Sequence, residues 1–195
     1  MDFIVNVILL AISAIFVNNF ILTRFLGLCP YLGVSKKLDS AFGMGMAVVF
    51  VMTMASAFTW VIQAYILNPF NLYYLQTVAF ILTIAVLVQF VEMVVQKVAP
   101  ALYKSLGVYL PLMSTNCAVL GIAIINVNDG LSFIESVLHG FFVGIGFTFV
   151  LLLMAGIRER LEKAEVPQTM QGMPIALVIA GCMALAFLGF AGLRL

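Results

Sequence analysis

Charge is what this sequence has least of. Lysine, arginine, aspartate and glutamate together make up 9% of the chain, where a soluble domain carries about a quarter. With 65% hydrophobic residues and a mean hydropathy of +1.22, that scarcity excludes an ordinary water-soluble domain and reads as an integral membrane protein. No basic run is present, so nothing here suits nucleic acid. The opening Met1-Asp2-Phe3-Ile4-Val5 lacks the basic stretch and small-residue cleavage site of a secretory signal, and the first apolar segment is expected to stay in the mature protein. No phosphate-cradling glycine loop, nucleophile elbow or dinucleotide fingerprint occurs. Three cysteines, all inside apolar stretches, do not make a disulfide framework. The bland reading of a cysteine in such a place is a small buried hydrophobe.

What the sequence does have is span-length apolar segments. A membrane helix needs roughly 20 apolar residues, and six segments qualify: 3 to about 22 (with apolar sequence resuming over 25–34), 41–62, 72–95, 105–127, 133–157 and 173–193. Short connections predict one compact helical domain over residues 1–195. Basic residues set the orientation. Eight of the nine lysines and arginines follow the first, third and fifth segments, and only Arg194 falls on the other side. Both termini are therefore expected outside the cytoplasm. Trp60, Tyr65, Tyr73 and Tyr74 gather where the second and third segments meet the outer surface, as an interfacial aromatic belt would.

The two halves share a pattern. Phe25-Leu-Gly-Leu-Cys29-Pro-Tyr-Leu-Gly33 and Ser114-Thr-Asn-Cys117-Ala-Val-Leu-Gly121 both contain Cys-x-x-Leu-Gly, and each is followed by Gly-x-Gly, at Gly43–Gly45 and Gly144–Gly146. Ala41-x-x-x-Gly45 and Gly140-x-x-x-Gly144 are small-residue faces that let helix backbones approach closely. The expectation is an all-α fold of six membrane helices as two inverted three-helix repeats, about 1–96 and 97–195. Three spans is an odd number, so the second copy enters from the opposite side, and broken helices in such folds meet near the midplane. Pro30 after Cys29, and Pro111 and Asn116 before Cys117, predict breaks in the first and fourth helices. A break survives in a bilayer only inside protein or around a ligand.

Cys29 and Cys117 are the candidate site residues. A thiolate is a soft ligand that suits iron–sulfur clusters, zinc or Cu(I). Zinc wants four ligands, and His139, the single histidine, lies in a different segment. Glu92 is read as reaching the interface, with an ion-path carboxylate as the alternative. Arg24 snorkels, Asn18-Asn19 satisfies the backbone of the first break, and Arg158-Glu-Arg160-Leu-Glu162-Lys163 is a solvated helix end. Cys182, in an ordinary apolar run, receives no role.

Several long motifs carry a resemblance that covers essentially the whole chain: Val17-Asn-Asn-Phe20, the run from Phe25 to Lys36, Leu110-Pro-Leu-Met-Ser-Thr-Asn-Cys-Ala-Val-Leu-Gly121 and Ile157-Arg-Glu-Arg-Leu161. The sequence resembles the RnfA/NqrE family, its RnfA branch more than the branch found in the sodium-pumping NADH:quinone reductase. The resemblance implies a subunit of a complex that exchanges electrons between ferredoxin and NAD and moves sodium or protons across the bacterial or archaeal cytoplasmic membrane. It implies a homologous antiparallel partner resembling RnfE, and further subunits carrying flavin and iron–sulfur centres. It also implies a [2Fe–2S] cluster shared with that partner, Cys29 and Cys117 falling on the family's cluster cysteines. A secondary transporter with a midplane substrate site, or a purely structural membrane component, are the rival readings.

Overall fold

The computed structural model describes residues 2–35, 38–70, 73–98, 116–163, 167 and 170–189, and among them there is no strand. The helices are α1 (Asp2–Ile12), α2 (Phe20–Arg24), α3 (Leu28–Val34), α4 (Leu38–Ile62), α5 (Gln76–Val98), α6 (Cys117–Asn128), α7 (Phe133–Leu161) and α8 (Met173–Leu188). Wider π-helical turns, Ser13–Val17 and Gln63–Leu67, extend α1 and α4. Among the described residues, three helices are long and apolar enough to cross a membrane: Leu38–Leu67, Gln76–Val94 within α5, and Phe133–Leu161. The remaining apolar helices are shorter, and α6, at 12 residues, reaches only about 18 Å at 1.5 Å per residue.

The fold is organised on α4 and α7. Both are apolar on every side, so the helix face that meets a neighbour is chosen by residue size. A Cβ added at Gly45 would overlap Thr148, one at Gly144 would lie 2.8 Å from the Cα of Val49, and one at Gly140 would overlap Ser56 and lie 3.0 Å from the Met52 carbonyl oxygen. Successive contacts run up one helix and down the other, so the pair is antiparallel. The small-residue faces read from the sequence are thus the faces in contact, and between apolar helices in lipid such close packing replaces the missing hydrophobic drive. Around the seam lie the fully buried Met44, Met52, Phe147, Leu151 and Met154. Tyr31 of α3 and Ile122 of α6 are buried against the same core. Between α4 and α5 an apolar groove of about 850 Å³, lined by Phe42, Met46, Phe50, Phe58, Leu82 and Phe90 among others, faces outward.

Helix ends follow their side chains. The Glu135 carboxylate accepts from the Ser132 N–H at 3.0 Å and from its hydroxyl at 2.7 Å, closing the start of α7. Trp60 donates its indole N–H to the Leu131 carbonyl at 3.0 Å and stands edge-on to Phe133, which ties the end of α4 to that turn. At the other end of α7, Arg158 is not part of a purely solvated helix end. It is half-buried and donates to the Leu32 carbonyl and the Ser35 hydroxyl, both at 2.8 Å, so it supplies one carbonyl in the last turn of α3 with a charged donor. Arg160 and Lys163 are exposed as expected. Lys36, Lys37, Lys104 and Arg194, which bear on the expected orientation, and Pro111 lie outside the described residues.

Candidate functional site

The first break differs in position from the sequence reading. It comes before Cys29, and Pro30 does not end a helix but sits in the first turn of α3, where a missing N–H costs nothing. The chain leaves the helix twice. At Asn18-Asn19 the Asn19 side chain accepts from the Ile21 N–H at 3.2 Å, capping α2. Its amide donates to the Ile15 carbonyl at 3.1 Å and, across the seam, to the Gly146 carbonyl at 3.0 Å. Asn18 bonds the Ser13 hydroxyl at 3.3 Å. Asn19 therefore does what the sequence suggested and satisfies backbone that the break exposes, whereas the Asn18 side chain bonds only another side chain. α2 then ends on Phe25 in the left-handed region (φ 53) and α3 starts on Gly27 (φ 83).

A consequence for stability follows. Asn19→Ala removes a cap worth about 1 kcal/mol and strands a buried carbonyl at about 1–3 kcal/mol more. The expected loss is about 2–4 kcal/mol in thermal unfolding of the purified chain in detergent. Asn19→Asp keeps the cap acceptor but sets a buried carboxylate against the Ile15 and Gly146 carbonyls, and should destabilise at least as much as alanine.

The second break repeats the device. Asn116, buried and extended, caps α6 by accepting from the Ala118 N–H at 3.0 Å. Cys117 is the first residue of α6 and Cys29 the second of α3. Both thiols thus stand in the first turn of a helix. The residues before Asn116, where the fourth segment was expected to continue, lie outside the described residues.

The two breaks meet. The Gly27 N–H donates to Cys117 Sγ at 3.0 Å. Space at Gly27 is closed by the other half of the chain: a Cβ there would lie 2.7 Å from the Phe147 ring, 3.1 Å from Ala118 Cβ and 3.3 Å from Asn116 Oδ1. Gly121 in turn is covered by Leu26. Only a residue without a side chain, tolerant of positive φ, lets the loop from Phe25 to Gly27 lie on the first turn of α6.

All three cysteines are free and exposed, which corrects the expectation that Cys182 is buried. It stands on the outer face of α8, away from any break. Among the described residues no three histidine, cysteine, aspartate or glutamate side chains group as a metal site. Two exposed thiols at helix starts, one already accepting a backbone N–H, fit half of a four-thiolate site and not the whole of one. His139 belongs elsewhere: its Nδ1 donates to Asn126 Oδ1 at 2.7 Å. Glu92 is half-buried on α5 and Arg24 is exposed. Neither Asn19 nor Gly27 was assigned to the site from sequence, although the Asn-Asn pair and a glycine two residues before Cys29 were visible signals.

Comparison with known proteins identifies the family. The family model described as "Rnf-Nqr subunit, membrane protein" matches residues 7–194. The Na(+)-translocating ferredoxin:NAD(+) oxidoreductase complex of Acetobacterium woodii has an A subunit that is 59% identical over 190 residues, 97% of this chain and 99% of its own length. The A subunit of the ion-translocating oxidoreductase complex of Syntrophotalea carbinolica is 58% identical over 96% of this chain and 97% of its own. Its namesake from Escherichia coli is 57% identical over 95% and 96%.

Proposed function

The chain belongs to the Rnf-Nqr family of membrane subunits, and from that premise we propose that it is a multi-pass component of an ion-translocating ferredoxin:NAD oxidoreductase complex, holding half of an intramembrane [2Fe–2S] site. It is part of an enzyme and not a complete one. The observation that carries the reading is the contact of the two breaks, Gly27 N–H on Cys117 Sγ, with both cysteines open to the outside of the chain. In this reading Cys29 and Cys117 hold one side of the cluster, and a homologous antiparallel partner supplies two more thiolates. The cluster supplies one-electron chemistry near the middle of a hydrocarbon layer about 30 Å thick, so the crossing divides into two shorter hops. The chain's own residues position it: α3 and α6 present their N-termini to the sulfurs, and the Gly27 N–H stabilises negative charge on Cys117. Asn19 ties the first break to α7, Asn116 caps α6, and Phe147 closes the space at Gly27.

An inverted pair of three-span repeats is part of the same reading. In its support, the matched Gly-x-Gly stretches of the two halves fall on the antiparallel α4 and α7, and an asparagine caps the helix at each break. Iron and acid-labile sulfide analysis with EPR tests the reading on the intact complex and on the isolated chain. The complex should carry a cluster signal that the isolated chain lacks; a full cluster on the isolated chain contradicts a shared site.

The cytoplasmic membrane is the proposed location, with both termini outside. A cysteine introduced near Leu195 should react with an impermeant reagent in intact cells, and one near Lys36 should not. The opposite labelling would invert the topology and move Glu92 to the outer side.

A further inference from the structure

Among the described residues, Arg158 is the one lysine or arginine drawn into the protein: Arg24, Lys97, Arg160 and Lys163 are exposed. Its two hydrogen bonds, to the Leu32 carbonyl and the buried Ser35 hydroxyl, go to neutral oxygens. No carboxylate among the described residues pairs with it, and the nearest in sequence, Glu159 and Glu162, are exposed, as is Asp39 at the start of α4. Capping the end of α3 needs a donor but not a charge. A guanidinium, however, keeps its proton throughout, so the end of α3 meets a permanent positive charge.

The same short helix carries Cys29. α3 spans 7 residues, about 10 Å at 1.5 Å per residue, with Cys29 in its first turn and Arg158 at its last. Protein fills the flank of that interval. Tyr31 and Val34 are 0% and 2% exposed, and the Tyr31 hydroxyl turns to Met183 Sδ at 3.5 Å, leaving the guanidinium alone. In such surroundings a charge reaches farther than in water. At an effective dielectric constant of about 20, unit charges roughly 10 Å apart alter an equilibrium on the order of tenfold.

We propose that Arg158 raises the reduction potential of the cluster held at Cys29 and Cys117. The assignment rests on the shared-cluster reading above. A four-thiolate cluster is an anion, and its potential follows the net charge around it. Reduction brings in one electron, makes and breaks no bond, and increases the negative charge by one. A fixed positive charge therefore favours the reduced form. Arg158 touches no reacting atom; it is a positioning residue that acts along α3 through its field.

The test is a redox titration of the intact complex, following by EPR the signal that Cys29→Ala removes. Arg158→Gln retains an amide donor and removes the charge. It should lower the reduction equilibrium constant about tenfold, which is about 59 mV for a one-electron couple. Ser35→Asp leaves Arg158 in place and sets a carboxylate against it, so the potential should fall in the same direction. Arg158→Lys keeps the charge and should keep the wild-type potential. Arg160→Gln makes the same charge change at an exposed position and should not move it. An unmoved potential in Arg158→Gln or Ser35→Asp leaves Arg158 a helix cap and overturns the assignment, as do equal shifts in Arg158→Gln and Arg160→Gln. If Arg158→Gln does not assemble, Ser35→Asp decides alone; failure of both to assemble makes the contact structural and likewise overturns the assignment. A wild-type complex without the signal overturns the shared-cluster reading and this assignment with it, whereas a signal indifferent to Arg158 overturns this assignment alone.

Discussion

Cys29→Ala and Cys117→Ala should each abolish the cluster EPR signal of the intact complex and its ferredoxin–NAD electron transfer, while the chain stays inserted and folded. Cys117→Ala also takes from the Gly27 N–H its acceptor, a loss of about 0.5–1.5 kcal/mol; Cys29→Ala separates chemistry from structure because its side chain is exposed. A surface truncation of this size changes stability by no more than about 0.5 kcal/mol. Four thiolates hold a [2Fe–2S] cluster, so losing one of the two given by this chain leaves an incomplete site. Cys182→Ala is the internal control. It is equally exposed but stands on α8 outside both breaks, and it should change neither signal nor rate. Retention of the signal and the activity in Cys29→Ala would defeat the shared-cluster proposal whatever the other variants do.

The second large effect is structural. Gly144→Leu should prevent recovery of folded chain from detergent. A Cβ at that position falls 2.8 Å from the Cα of Val49, and a backbone atom cannot swing aside as a side-chain tip can. The whole α4–α7 pair has to part, which exceeds the usual cost of overpacking, about 1–3 kcal/mol. Gly181→Ala on α8 meets nothing within 4 Å and should be neutral or slightly stabilising, since alanine favours a helix. Size-exclusion recovery and thermal unfolding by circular dichroism distinguish the two. Equal behaviour of the two variants would mean that the α4–α7 crossing does not hold the fold together.

How much of this was legible in the residues depends on the kind of signal. Apolar length gave the long helices to within a few residues: α4, α5 and α7 lie where uninterrupted hydrophobic runs predict them. The glycine spacing identified the contact faces of α4 and α7, because in an apolar helix only size differs from side to side. The first break was misplaced, since Pro30 reads as a breaker yet is harmless in a first turn, while the true breakers are Asn18-Asn19 and the left-handed Phe25 and Gly27. Burial was the weakest inference. Cys182 and Val178 are as apolar as the core, but in a membrane chain hydrophobicity no longer tells inside from outside. Arg158 was assigned to solvent for the opposite reason: a charge at a helix end reads as exposed, and nothing in its neighbours announces the carbonyl of Leu32.

Beside the local bonds of Asn19, three hydrogen bonds that fix the first break and the α3 after it come from far along the chain: Cys117 for Gly27, Gly146 for Asn19, Arg158 for Leu32. The partners are 90, 127 and 126 residues away. At a synthesis rate of about 5–20 residues per second, Leu32 waits roughly 6–25 seconds before Arg158 exists. Until those residues are made the local Asn19 cap can form, but the Gly27 N–H, the Asn19 amide and the Leu32 carbonyl lack their long-range partners. The N-terminal region is thus the first part of the polypeptide to be made and the last to be fixed. A nascent chain stopped before the fifth segment should be the species most readily captured by the insertion machinery and most readily destroyed by membrane proteases.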